Sequence, residues 1–285
     1  MPSLIDIRRR IRSVRNTQQI TKAMKMVSAA KLRRAQDRVL AARPYAAMLE
    51  KVLSNVAAAS ADNEEIGASP LLQPRPERRI QLVLLTSDRG LAGAFNSNLI
   101  KAAQRFIEEH RDAGIELELL GRKGRDFFRR RTYIITGEHL GLFNKPAYSD
   151  AGEIAKKVAD RVLNDEVDAV YLVYNEFKSV LTQNLTVRKI LPVKAPEGER
   201  INYIFEQSVE QLMASLLPKY VAIQIFTAML ETAAAEHAAR MTAMDSATSN
   251  ASEVIDDLTL FMNRVRQASI TREIIEVVSG ASALE

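Results

Sequence analysis

Apolar residues near the start of the chain recur at helical spacing. Leu4, Ile7, Ile11 and Val14 follow one another at intervals of three, four and three. After the polar stretch Asn16-Thr17-Gln18-Gln19, Met24 and Val27 resume the pattern in a shifted phase, and Leu32, Ala35, Val39 and Ala42 continue it. The spacing predicts a long amphipathic helix with one break in its seam near Gln18. Neither Gly nor Pro occurs between Ser3 and Arg43. Pro44 either kinks this helix or ends it. The last part of the chain is more regular. Alternating steps of four and three from Leu216 visit Tyr220, Ile223, Thr227, Leu230, Ala234, His237, Met241, Met244, Thr248, Ala251, Ile255, Leu258, Met262, Val265 and Ser269. Twelve of those sixteen positions are apolar, so the period is the 3.5 residues of a left-handed coiled coil. A helix over Lys219–Ser279 would reach roughly 90 Å, too long to bury its stripe in a small domain of its own. The N-terminal helix is the nearest partner in the chain, and the alanines from Ala233 to Ala247 permit a close approach.

The middle alternates. Ile80–Thr86 is a continuous apolar run that reads as a buried strand. Asn98–His110 has helical spacing, Ile115–Leu120 reads as a strand, and Gly124–Arg131 as a short basic helix. Tyr133–Thr136 is a third strand, Ser149 an N-cap for a helix to Leu163, and Val167–Phe177 with Thr182–Val193 two strands suited to a hairpin. Asp62–Pro76 and Leu191–Arg200 read as linkers. The predicted fold class is α/β: a long antiparallel coiled coil of the N- and C-terminal helices with an inserted Rossmann-like domain. The expected domains are 1–59 and 207–285, forming one rod, and 77–195.

Charge sharpens this picture. Residues 1–59 carry 13 Lys/Arg against 3 Asp/Glu, residues 60–206 carry 22 against 22, and residues 207–285 carry 5 against 10. Opposite ends around a neutral middle suit two helices lying side by side, with the basic one also facing an acidic partner; solvated faces of varying charge are the plainer alternative. Zero Cys excludes disulfides, thiolate zinc sites and a Cys nucleophile. Met1–Arg10 has three Arg and no apolar core, unlike a secretory signal. No run of 18 apolar residues is present, so no membrane span is expected.

Candidate chemistry is sparse. Thr86–Gly93 sits between a predicted strand and helix, where a phosphate loop would lie, but Gly90 and Gly93 match neither phosphate-binding glycine pattern. It reads as a tight turn, with Asp88 and Arg89 as a locking pair. His110, His139 and His237 match no metal spacing, and His237 falls on the coiled-coil seam as a packed or paired imidazole. The basic runs Arg122–Arg125 and Arg129–Arg131 accompany no nucleic-acid motif and suit a solvated face, or docking to an acidic protein or anionic surface. A basic nucleic-acid-binding coiled coil is the alternative function. No catalytic triad, metal site or cofactor site is found.

Three blocks carry a resemblance: Ile20-Thr21-Lys22-Ala23-Met24-Lys25-Met26-Val27, the central Ser87-Asp88-Arg89-Gly90-Leu91, and Arg266-Gln267-Ala268-Ser269-Ile270-Thr271-Arg272-Glu273-Ile274-Ile275-Glu276, followed by Gly280-Ala281. Together, in that order, they resemble the gamma subunits of bacterial F-type ATP synthases across essentially the whole chain. Ala92 stands where many relatives have Cys, and Glu206-Gln207 departs from a common Glu-Pro. The resemblance implies a central rotor shaft without catalysis, cofactor, metal or nucleic acid, present in one copy. Its partners would be three α and three β subunits, the epsilon subunit and the c ring. It would work at the cytoplasmic face of the bacterial plasma membrane, touching the membrane only through the c ring. By the motif's residues, Met24, Lys25, Arg33, Arg266, Gln267, Thr271 and Glu276 would contact the catalytic ring, with Met24 near Arg266 in the helix pair. Ile274, Ile275, Val277, Val278 and Leu284 would form an apolar bearing tip. Tyr203, Phe205 and Glu206 would form the foot against the c ring or epsilon.

Overall fold

The computed structural model describes residues 3–59, 71–72, 75–180, 182–193 and 208–282. The elements in chain order are α1 (Leu4–Ala59), β1 (Arg79–Leu85), α2 (Phe95–Glu109), β2 (Gly114–Leu120), α3 (Arg122–Phe128), β3 (Ile134–His139), a 3-10 turn (Leu142–Asn144), α4 (Tyr148–Leu163), β4 (Ala169–Phe177), β5 (Gln183–Leu191) and α5 (Val209–Ser282). Two compact units result: residues 1–28 with 240–285, and residues 29–239. The division falls inside both long helices, between Ser28 and Ala29 and between Ala239 and Arg240.

The larger unit holds a five-stranded sheet in the order β3-β2-β1-β4-β5. β3, β2, β1 and β4 run parallel to one another, and β5 runs antiparallel along β4. Central β1 is buried on both faces from Ile80 to Leu85, which is why its sequence is an unbroken apolar run rather than an alternation. One face, with Val83, Leu85, Leu120 and Leu172, packs on Ile154 and Val158 of α4. The same core includes Leu53 and Val56 of α1 and Met213, Leu217, Val221 and Ile225 of α5. The helix segments of this unit are therefore part of the sheet's own core. α2 covers the other side through Leu99, Ala103 and Phe106.

All five predicted strands and every predicted helix form, with shifts at their ends. α2 begins at Phe95 rather than Asn98. Ser149 is not an N-cap: α4 starts one residue earlier, behind Ala147, and the Ser149 hydroxyl turns to Asp150. α1 runs on through Pro44. The ring lies on the exposed side, where water can take the carbonyl that loses its partner. α5 includes Pro218 and starts at Val209. It contains a window of mean hydropathy 1.4, long and apolar enough to cross a membrane, yet 56% of that window is buried inside the protein. Its apolarity is that of a packed helix.

The turn after β1 is locked from within. Thr86 Oγ1 accepts from the Gly124 amide at 2.9 Å and donates to the Leu120 carbonyl at 3.1 Å. The Ser87 amide donates to Asn96 Oδ1 at 2.9 Å. Asp88 does not pair with Arg89; its carboxylate accepts from the amides of Arg122 and Gly141, each at 3.1 Å, tying together the loops after β1, β2 and β3. Gly121 is required here. Its φ is +96°, and a Cβ would lie 2.1 Å from the Thr86 carbonyl oxygen. The Ser87 and Gly124 amides are thus spent on locking the turn itself.

Candidate functional site

The smaller unit is a pair of helical segments, and its cross-links give the register. Gln18 Nε2 donates to Ser252 Oγ at 2.9 Å, the hydroxyls of Thr21 and Thr248 are 2.8 Å apart, and Lys25 Nζ meets Asp245 Oδ1 at 2.6 Å. As one number rises the other falls, so the segments are antiparallel, as expected. Ser3 starts α1 as its N-cap: its hydroxyl accepts from the Asp6 amide at 3.2 Å and donates to the Asp6 carboxylate at 2.7 Å. That bond holds the exposed Asp6 carboxyl below the usual carboxylate range.

All sixteen seam positions named for α5 are at least half-buried. The break anticipated in the seam of α1 is absent. Leu4, Ile7, Ile11, Val14, Gln18, Thr21, Lys25, Ser28, Leu32, Ala35, Val39 and Ala42 form one inward row with alternating steps of three and four. Thr21 and Ser28 are buried, at 8% and 2% exposure, whereas Ile20, Met26 and Val27 are 57–68% exposed. The polar rung is accommodated because Thr248, Ser252 and Asp245 supply hydrogen-bonding partners across the seam. The apolar phase shift marks an outward stripe, not a displaced seam. Ile20, Met26 and Val27 were missed as surface residues for this reason. The signal was present in the sequence as apolar residues one position off an otherwise unbroken heptad.

The C-terminal motif residues Arg266, Gln267, Thr271 and Glu276 are exposed on α5. Ile274, Ile275, Val277 and Val278 are also exposed, at 57–72%, a run of large apolar side chains facing away from the protein's own core. Met24 does not lie near Arg266. The Lys25–Asp245 rung puts Met24 beside the residues that follow Asp245, about 20 residues or roughly 30 Å along α5 from Arg266. Arg266 stands instead at the level of the first turns of α1, where Leu4, Ile5 and Arg8 share a groove with Val265, Ser269 and Arg272. Lys25 is half-exposed and already paired with Asp245. Arg33 is exposed on α1 and belongs to the larger unit. Tyr203, Phe205, Glu206 and Leu284 lie outside the described residues.

The densest charged cluster is Glu118 on β2, fully buried, which accepts from His139 Nε2 at 2.7 Å, Lys157 Nζ at 2.9 and 3.0 Å, Thr136 Oγ1 at 2.8 Å and Gln81 Nε2 at 3.2 Å. Burial alone would raise its carboxyl; the bonds from His139, Lys157 and Thr136 override burial and hold it down at about 2. Gly137 presses on it so closely that a Cβ would sit 2.0 Å from Glu118 Oε1. A carboxylate so fully bonded and covered has no free lone pair for substrate, so its work is to tie β2, β3 and α4 together. His237 is half-buried on the seam. Among the described residues no group of three or more His, Asp or Glu could hold a metal ion.

A family model described as ATP synthase matches residues 3–284. The chain is 64% identical over 286 residues to the ATP synthase gamma chain of Solibacter usitatus, with all of both chains covered. It is 52% identical over 291 residues to that of Anaeromyxobacter sp. strain Fw109-5, again over all of both. Among solved structures it is similar to a chain of the central stalk and c ring of Tetrahymena thermophila mitochondrial ATP synthase. That match has a TM-score of 0.61 and 25% identity, and covers 80% of this chain and 99% of that one. It also shares the fold of a chain in the rotor of the Euglena gracilis mitochondrial enzyme, at a TM-score of 0.65 and 19% identity, covering 94% and 98% of the two chains.

Proposed function

This chain belongs to the ATP synthase gamma family, and on that premise we propose that it is the central shaft of a rotary ATP synthase, carrying rotation without catalysing a reaction itself. One observation carries the reading from the residues. The paired helices of the smaller unit turn one row of each toward the other, bonded at the Thr21–Thr248 rung, and still present large apolar side chains outward. Such a surface needs a protein around it.

In this reading three α and three β subunits surround one copy of the pair. An asymmetric shaft inside a near-threefold ring meets each β subunit differently, and only such differential contact can shift each catalytic site between affinities. Arg266, Gln267, Thr271 and Glu276 grip the ring through exposed polar groups. Lys25 and Arg33 face acidic segments, Lys25 sharing its charge with Asp245. Met24, with Ile20 and Val27 on the adjoining outward stripe, adds apolar contact at a separate level from Arg266. Ile274, Ile275, Val277, Val278 and Leu284 turn in an apolar sleeve. The segment with Tyr203, Phe205 and Glu206 is the foot on the c ring or epsilon, at the cytoplasmic face of the plasma membrane. Residues 1–59 and 207–285 act as the shaft, and 77–195 as the domain that receives rotation. The nucleic-acid alternative is displaced by the family.

Purified α and β subunits from the same organism, assayed for ATP hydrolysis with and without this chain, test the proposal. One bound copy per complex with stimulated turnover, and no hydrolysis by the chain alone, is the expected result. Failure to assemble would sink it.

A further inference from the structure

A shaft is useful only if the domain that receives rotation cannot turn against it. In the larger unit α1 shares an apolar core with the sheet, and that core resists separation. Apolar packing opposes a turn of α1 about its own axis once inward side chains begin to leave the core, whereas a bond of fixed direction opposes small turns as well. Two such bonds come from α1. Arg38 Nη2 donates to the Pro146 carbonyl at 2.5 Å, in the segment that leads into α4. Arg43 Nη2 donates to the Phe177 carbonyl at 3.1 Å, at the end of β4, and lies 3.6 Å from the Glu231 carboxylate on α5.

Their spacing matters. Five residues correspond to about 7.5 Å along a helix and about 140° around it. The inward row of α1 here, Ala35, Val39, Ala42 and Ala46, runs midway between the two directions. Arg38 and Arg43 thus leave α1 on opposite flanks of the seam and reach separate parts of the α/β domain. A turn of α1 in one sense stretches the Arg38 bond, and a turn in the other stretches the Arg43 bond. Both acceptors are main-chain carbonyls, which cannot swing away as side chains can. Both donors are guanidinium groups, which make charge-assisted bonds. Arg43 has a second task. Glu231 is buried, with a side chain only 8% exposed, and Arg43 is the cation paired with it.

We propose that Arg38 and Arg43 form a two-armed torsional brace between α1 and the α/β domain, positioning residues that keep the shaft from slipping against the domain that turns it. The proposal rests on the rotor reading above. Neither arginine stands in the motif blocks or among the expected partner contacts.

The test uses the assembled complex in inverted membrane vesicles, with ATP-driven acidification and ATP hydrolysis measured per assembled complex. Three forms are compared: the natural chain, Arg38→Gln with Arg43→Gln, and Arg38→Lys with Arg43→Lys. The glutamine pair is expected to hydrolyse ATP at the natural rate once an ionophore removes the gradient. It should build a gradient no more than about half as large, because the coupling network is cut. The lysine pair keeps a charged donor on each flank and should recover most of the loss. A full gradient in the glutamine pair, or hydrolysis and acidification falling in proportion, would overturn the brace. If the glutamine pair does not assemble, each single glutamine variant is read in the same way, and full gradients in both would overturn it equally. A natural chain that assembles but drives no acidification would instead count against the rotor reading itself.

Discussion

Replacing Glu118 by Gln removes one charge from the centre of a bonded cluster and leaves its shape almost unchanged. Glu118 titrates at about 2 in the folded protein, against 4.5 for an ordinary glutamate. Taken at face value, that difference corresponds to a ceiling of about 3.4 kcal/mol. The cluster opens to water on one side, however, with the side chains of Lys157 and His139 exposed by 40% and 28%. Solvent screening of those partners reduces the expected cost of Glu118→Gln at neutral pH to about 2 kcal/mol. The sign follows from the depressed value. A carboxyl whose folded value lies below its unfolded one stabilises fully above about pH 4.5 and loses that contribution as pH falls toward 2. Urea unfolding of the purified chain, followed by circular dichroism at a series of pH values, reads this directly. The natural chain should be the more stable at pH 7, and its lead should shrink as pH falls below 4.5. Parallel profiles for the two chains across that window would refute the account, since they would mean that the carboxylate gains nothing from its partners.

Further outcomes follow from other contacts. Gly121→Ala places a Cβ 2.1 Å from the Thr86 carbonyl at a φ of +96°, and should cost about 3 kcal/mol or more in thermal or urea unfolding. A double-mutant cycle with Thr21→Ala and Thr248→Ala should give a coupling of about 1 kcal/mol in chain stability, because the hydroxyls bond across a buried seam; additive losses would mean that the rung is not a bond. Lys25→Ala should change stability by no more than about 1 kcal/mol, since both partners of its ion pair with Asp245 face water. Arg266→Ala with Gln267→Ala should leave the chain as stable as before, both being exposed, yet lower coupled ATP synthesis; unchanged synthesis would remove them from the grip.

The seam of α5 was legible because nearly every inward position is apolar and the alternation of four and three persists for over fifty residues. β1 was legible because a strand buried on both faces must be apolar throughout. The family was legible from three motif blocks in order. The internal ties were not. Asp88 was expected to pair with its neighbour Arg89 and instead accepts from amides more than thirty residues away, at Arg122 and Gly141. Nothing in a linear pattern announces a carboxylate that binds main-chain donors of another loop. Glu118 is likewise a charged residue at an inward position, and its partners come from β1, β3 and α4.

The sequence by itself determined the two long helices, the α/β insertion and the kinship, because periodicity and local motifs are properties of the chain as written. Only the tertiary structure decided which phase of α1 faces inward. Thr21 and Ser28 are buried while Ile20, Met26 and Val27 are exposed, a reversal of what hydrophobicity alone dictates. It also decided the register that sets Lys25 against Asp245 and moves Met24 away from Arg266. The physical reason is that a polar side chain is stable inside when a partner across the interface bonds to it, and the inward row is then set by those bonds as much as by hydrophobicity.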